Sequence, residues 1–232
     1  MEYGISNHTL DEYVRQDPRI LDVYMEARRR YGQLPLYHHG FHHVLRDLYR
    51  SLLIAKEEGA VDYSVLIPSV LLHDIGFCSQ DFKRVGHDVA GARLAQEILV
   101  GLGYDEETCG AVYHCIRAHK GKAETPQTLE AKILYDADVL EKAGLVYLIL
   151  GGKIVCEFDE TINHFLNREI ADRSKELKRG FYTQKAKELD GGRLEQVHAL
   201  LSQVQAEITK ERPDFDIHEQ DLWIEPPPQV SP

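Results

Sequence analysis

Twelve histidines occur in 232 residues, and eight of them fall between positions 38 and 119: His38, His39, His42, His43, His73, His87, His114 and His119. Imidazole is the commonest protein ligand for transition metals and titrates near neutral pH, so such a concentration points to metal binding or proton transfer. The most informative fragment is Leu71-Leu72-His73-Asp74-Ile75-Gly76, an adjacent His-Asp pair at the end of an apolar run. Burying both side chains without partners is costly. A divalent cation removes that cost, because neutral imidazole and ionised carboxylate are both metal ligands. Taken alone, the dipeptide reads more plainly as a His-Asp hydrogen bond closing a turn. Its surroundings shift the balance, with His38-His39-Gly40-Phe41-His42-His43 upstream and Asp136-Ala137-Asp138 downstream. One His, the His-Asp pair and a distant Asp make a mixed nitrogen–oxygen set for one octahedral ion, with positions left for water and substrate. Such a set suits Mn, Fe, Co, Ni or Mg better than a closed structural zinc.

Several fragments agree in order and spacing with one known family. His39-Gly40-Phe41-His42-His43-Val44-Leu45-Arg46 is similar to an H-D-W-x-H-I-x-R opening, and Leu72-His73-Asp74-Ile75-Gly76 to a His-Asp signature. His87-Asp88-Val89-Ala90-Gly91-Ala92 is similar to an H-x-x-x-G-A helix start, Ile116-Arg117-Ala118-His119 to I-x-x-H, and Asp136-Ala137-Asp138-Val139-Leu140-Glu141 to D-A-D-x-L-[DE]. Over roughly residues 35–145 the chain resembles the HD-domain superfamily of metal-dependent phosphohydrolases, in particular its small stand-alone bacterial members. The resemblance implies an all-α helical bundle and a metal held by His43, His73, Asp74 and Asp138. The family places an apolar residue directly after its first ligand and an Arg three later, so Val44 and Arg46 select His43 over His42. The family's last ligand precedes x-Leu, which selects Asp138 and leaves Asp136 to support the site by hydrogen bonds. His38 and His42 are read as supporting or solvated. Gly40 departs from the pattern, where relatives often carry Asp or Asn.

The implied activity is hydrolysis of a phosphate ester of a small molecule, a nucleotide first among them, by a metal-activated water. Asp74 would steer the water, and a protonated His39 or His87 would donate to the leaving oxygen. His119, His87, Arg46 and Lys142 would face the phosphoryl oxygens. In some relatives histidines at the places of His87 and His119 bind a second metal; the pair His119-Lys120 differs from the double His of those members and favours phosphate binding. Three other classes stay open: a di-iron oxygenase of the same fold, which needs both His87 and His119 on metal; a non-catalytic metal- or nucleotide-binding sensor; and a helical interaction protein, which needs His43, His73, Asp74 and Asp138 to be separate surface features.

The elements that must position these residues read as helices. Asp17-Pro18 signals a helix start, followed by Ile20, Leu21, Tyr24 and Ala27 on one stripe and Arg28-Arg29-Arg30 at the end. Further helices are expected over about Phe41 to Glu58, Val65 to Asp74, His87 to Leu102, from Asp105 through His119, and Thr128 to Leu140. Leu145 to Leu150 is a continuous apolar run, expected as a buried helix. Residues 160–190 read as one or two amphipathic helices, and Arg193 to Glu211 as the last. The expectation is one domain over residues 1–211 and an acidic, proline-rich tail over 212–232, extended or disordered. The last helix and the Trp223 segment could serve a homodimer contact; packing of the helix on its own core is the preferred reading.

Composition sets the outer limits. The chain carries 27 basic and 38 acidic residues, a net charge of -11. Long-range repulsion then opposes polymeric nucleic acid and anionic membranes, without opposing a small phosphorylated ligand at a locally reversed field. Cys78, Cys109, Cys115 and Cys156 form no C-x-x-C pair and read as reduced thiols. The N-terminal residues show no apolar secretory core, and no apolar run reaches the roughly 20 residues that span a bilayer. A cytoplasmic protein is the expectation.

Overall fold

The computed structural model describes residues 10–216. The expectations for the first nine residues, for Trp223 and for the tail beyond 216 lie outside the described residues. Among these residues there are twelve α-helices and no strand: α1 (Asp11–Gln16), α2 (Arg19–Tyr31), α3 (Phe41–Glu58), α4 (Tyr63–Leu72), α5 (Phe82–Val85), α6 (His87–Gly101), α7 (Glu106–Ala118), α8 (Leu129–Glu141), α9 (Val146–Phe158), α10 (Ile162–Arg179), α11 (Gln184–Asp190) and α12 (Arg193–Lys210). Short 3₁₀ turns occupy Ile75–Cys78 and Pro213–Asp216.

Side-chain caps explain where many of these helices begin. Asp62 accepts from the Ser64 amide at 2.9 Å, Asp105 from Thr108 at 2.8 Å and Thr128 from Ala131 at 3.2 Å. Thr161 and Thr183 do the same for α10 and α11. Each satisfies an amide that the first helical turn leaves without a partner. Asp17 acts as foreseen, one residue further out, accepting from the Arg19 amide at 3.0 Å.

Two apolar clusters meet at α8. The larger joins α2, α3, α4, α6 and α7 through residues such as Val23, Val44, Leu66, Leu99 and Ile116. The smaller joins α9, α10 and α12 through Tyr147, Phe165, Val197 and Leu201. From α8, Ile133, Leu134 and Ala137 enter the first cluster, while Tyr135 and Val139 enter the second. A helix packed on both flanks has no solvated face, so Asp136 and Asp138 within it must find partners inside the protein. The last helix uses Leu194, Val197, Leu201 and Ile208 against this second cluster, the expected packing on its own core.

One expectation for α9 requires correction. The run Leu145 to Leu150 is helical, but it is not buried: Leu145, Val146, Leu148 and Ile149 are exposed, Ile149 by 72%. Only Tyr147, Gly151 and Ile154 are buried. The helix approaches α10 closely at Gly151, where a Cβ would meet the Phe165 ring at 2.6 Å. Its inward face thus seats on α10, and its apolar start is left outside. No helix among the described residues is long and apolar enough to cross a membrane.

Candidate metal centre

The His-Asp pair sits where α4 stops. His73 closes the helix, and Asp74 adopts φ -102°, ψ 8°, turning the chain into the 3₁₀ segment. This bridge-region geometry recurs at functional sites. Gly76 follows because nothing larger fits: a Cβ there would lie 1.9 Å from the His87 carbonyl oxygen and 2.7 Å from the Gly91 amide. The start of α6, with His87, is thereby held directly against the turn carrying Asp74.

Local hydrogen bonds aim the imidazoles. His73 Nδ1 lies 2.8 Å from the Val70 carbonyl oxygen, and His119 Nδ1 lies 2.6 Å from that of Ile116. A carbonyl only accepts, so Nδ1 carries the proton in both rings and Nε2 presents its lone pair to the interior. His73 Nε2 stands 3.2 Å from His43 Nε2. Asp47 Oδ2 is 3.3 Å from His43 Nε2 and 3.6 Å from His73 Nε2; Asp74 Oδ2 is 3.3 and 3.5 Å from the same atoms. Asp138 Oδ1 is 3.8 Å from His43 Nε2. Ligand atoms of His43, Asp47, His73 and Asp138 all lie within 4.8 Å of one another. Ligands bound to one ion at about 2.0–2.2 Å stand roughly 3–4 Å apart, so these separations fit coordination better than direct hydrogen bonding.

The electrostatics ask for a cation at the same point. Burial alone would lower the His43 pKa; Asp47, Asp74 and Glu141 outweigh it and hold the imidazole well above its ordinary value. Burial pushes Asp47 up to about 6 against the pull of His43. Asp47 Oδ2 is buried without a hydrogen-bond partner, while Oδ1 accepts from Arg50 at 2.8 Å. An unpartnered carboxylate oxygen facing two imidazole nitrogens matches a divalent-metal site. The second oxygen of Asp74 faces away from this set: Oδ1 is 3.3 Å from His87 Nε2 and 3.7 Å from His119 Nε2. Burial pushes both of these imidazoles down, His119 to about 4, so they are neutral.

The centre forms one wall of a cavity of about 450 Å³. Phe77, Phe82 and Phe158 line it on the aromatic side, with His87 stacked on Phe77 at 4.3 Å between ring centres. Lys120, Lys122, Lys142, Arg168 and Arg173 bring positive charge to it, against the chain's overall sign.

The family model for the HD domain matches residues 40–143. Residues 40–143, just under half of the chain, therefore carry an HD domain. Its structure is similar to a crystal structure of a predicted HD superfamily hydrolase from an uncultured Thermotogales bacterium, at 26% identity and a TM-score of 0.54, covering 85% of this chain and 98% of that one. A Lactobacillus plantarum protein shares the fold at 17% identity and a TM-score of 0.65, covering 84% of this chain and 99% of that one. A Listeria innocua protein does so at 15% identity and a TM-score of 0.55, with 84% and 97% covered. No curated protein matches the sequence.

Within the HD domain, His43, His73, Asp74 and Asp138 converge on one point although 95 positions separate the first from the last. His43 is buried and His42 is exposed, which separates the two histidines the sequence left adjacent. His39, His87, His119 and Lys142 line the cavity. Arg46 does not, contrary to the expectation of a phosphoryl contact. Its Nε donates to Glu141 at 2.9 Å, and Arg50 reaches the same carboxylate at 2.6 Å, because Glu141 is buried beside His43 and needs neutralising. Lys142 is engaged as well, donating to Asp138 Oδ2 at 2.6 Å. Asp136 supports the loop before α11 rather than the ligands, accepting from the Tyr182 and Thr183 amides at 3.0 and 2.8 Å.

Sequence reasoning missed Asp47, Glu141 and Glu157. Asp47 carried a usable signal, lying one helical turn after His43 on the same face. Glu157 carried none. It reaches from α9 across 118 positions to hold His39 Nδ1 at 2.5 Å, and accepts from the His38 amide at 2.7 Å.

Proposed function

We propose that this HD-domain protein is a metal-dependent phosphohydrolase acting on phosphate esters of a small molecule, with nucleotides as the first class to test. The observation that carries this reading is the convergence of His43, Asp47, His73, Asp74 and Asp138 at the wall of a cavity with cationic and aromatic faces. A divalent cation held by these side chains would act as a Lewis acid and acidify a coordinated water near neutral pH. Asp74 is placed to orient the attacking water, since its two oxygens face the two halves of the site. His87, neutral and donor-capable, faces the position of the phosphoryl oxygens, while His119, whose proton is on Nδ1, offers only its Nε2 lone pair beside them. The water oxygen forms a bond to phosphorus, the bond from phosphorus to the leaving oxygen breaks, and the proton lost by water ends on that leaving group. His39, fixed by Glu157, is the residue placed to hand on a proton there. The substrate would be small and phosphorylated, not polymeric.

A second reading has one observation in its favour. Asp74, His87 and His119 offer three ligand atoms within 4.8 Å of one another, a second candidate ion position sharing Asp74 with the first. Two bridged ions would suit the di-iron oxygenase alternative. Metal analysis of the purified protein followed by phosphate release from a nucleotide panel tests the proposal. One equivalent of metal and phosphate release, both lost in Asp138→Ala with helix content retained by circular dichroism, is expected. Metal bound with no release from any panel member would overturn it, and two equivalents of iron would favour the second reading.

A further inference from the structure

We propose that Lys120 is the residue that grips the substrate's phosphoryl oxygens, and that the cavity, with one divalent cation bound, is matched to the dianion of a phosphate monoester. This rests on reading the site as a phosphohydrolase centre.

The cations of the cavity are not equivalent. Lys142 donates to Asp138 at 2.6 Å, Lys122 to Asp172 at 2.8 Å, Arg173 pairs with Glu176 at 2.6 Å, and Arg168 binds both Glu160 and Glu169. Each is held by a carboxylate and offers little to a ligand without breaking that pair. Lys83 has no such partner but projects from the exposed face of α5 at the rim. Lys120 also lines the cavity, and among the described residues no carboxylate or carbonyl pairs with it. Asp88, the acid close to it on α6, is taken by Arg117. Lys120 directly follows His119, whose Nε2 faces Asp74. The unpaired ammonium therefore borders the place where the phosphoryl group must sit to meet the attacking water. A half-buried ammonium without a counter-ion is costly in a folded protein unless a ligand supplies the negative charge.

Charge counting points to which ligand. The cavity wall carries six cations (Lys83, Lys120, Lys122, Lys142, Arg168 and Arg173) and six carboxylates (Asp74, Asp138, Glu160, Glu169, Asp172 and Glu176). Behind the wall, Asp47 and Glu141 are matched by Arg50 and Arg46. The charges lining the cavity thus cancel despite the chain's net charge of -11, and Glu157 behind them is paired with the His39 ring. A divalent cation makes the lining doubly positive. A phosphate monoester, close to doubly negative at neutral pH, cancels it; a diester carries one charge and leaves an excess.

The test uses the purified metal-loaded protein with its metal content measured. Inorganic phosphate is titrated calorimetrically into wild type, Lys120→Gln and Lys120→Arg, and hydrolysis of p-nitrophenyl phosphate is compared with that of its bis-ester. Lys120→Gln is expected to keep its metal, weaken phosphate binding and raise KM for the monoester by about tenfold or more, the loss of one charge-assisted contact. Lys120→Arg is expected to stay within about threefold of wild type, and wild type to prefer the monoester. Unchanged phosphate binding in Lys120→Gln, a wild-type preference for the diester, or two divalent ions per chain would each overturn the proposal while leaving a hydrolase in place. Phosphate binding that depends on Lys120 in a protein that hydrolyses nothing would uphold it and overturn the hydrolase reading instead.

Discussion

His38 shows what a buried imbalance at one residue does to the whole chain. It is 3% exposed, its ring lies over His43 at 5.2 Å, and its Nδ1 has no hydrogen-bond partner. Burial, with His39 and His43 adding to it, pushes its pKa down to about 2. The unfolded chain takes up a proton at this residue below about pH 6.5 while the folded chain does not, so stability is full above that pH and falls as the solution is acidified. Between pH 6.5 and 5 this residue alone removes about 2 kcal/mol. In urea unfolding of metal-free protein at the two pH values, His38→Asn is expected to lose about that much less than wild type. Lys142 makes a different prediction. It occupies an oxygen of Asp138 that the cation would share, and Asp138 in turn holds its ammonium well above the ordinary range despite burial. Lys142→Met removes the competitor, so metal affinity, measured against a competing chelator, should rise about tenfold, while the metal-free fold becomes less stable.

At the scale of elements, the joint between the 3₁₀ turn and α6 has no slack. A Cβ on Gly76 would collide with backbone, which cannot rotate away as a flexible side chain can. Gly76→Ala is expected to cost about 3 kcal/mol in chemical denaturation. It should also weaken phosphate binding, because the start of α6 carries His87. The same scale shows what could be read from the chain alone. The helices α3, α6, α7 and α12 were legible because Gly59, Asp105 and regular apolar stripes mark them. The short α1 and α5 have too few residues for a period to show. Asp74, His73 and Asp138 were legible because polar residues interrupt apolar runs. Asp47 and Glu141 were not, since a carboxylate on an amphipathic helix looks the same whether it faces water or an ion. Glu157 was beyond reach, because no local pattern encodes a partner in the loop before α3.

For the whole molecule, the decisive arrangement is that the candidate ligands come from both sides of a seam. His43 and His73 belong to helices of the larger apolar cluster, whereas Asp138 stands on α8, which also packs into the smaller one. An ion bound at that seam favours the folded chain over the unfolded one by mass action, about 2.7 kcal/mol at a free concentration 100 times the dissociation constant. In a domain of this size that corresponds to about 5–10 °C in Tm. Calorimetric scans with and without a chelator are expected to show a drop of this order, reversed by returning the metal and absent in Asp138→Ala. The overall negative charge makes a further statement about partners: long DNA or RNA should not retard in gel shift at physiological salt.

The bonds from the His73 and His119 rings to carbonyls three residues back, Val70 and Ile116, join each ring to the final turn of its own helix. Fraying of that turn and loss of the ring's aim are therefore a single event. The terminal amides of α4 and α7 become gauges of how the two rings are set: their exchange with deuterium should slow when a divalent ion is added, long before any global measure of unfolding responds.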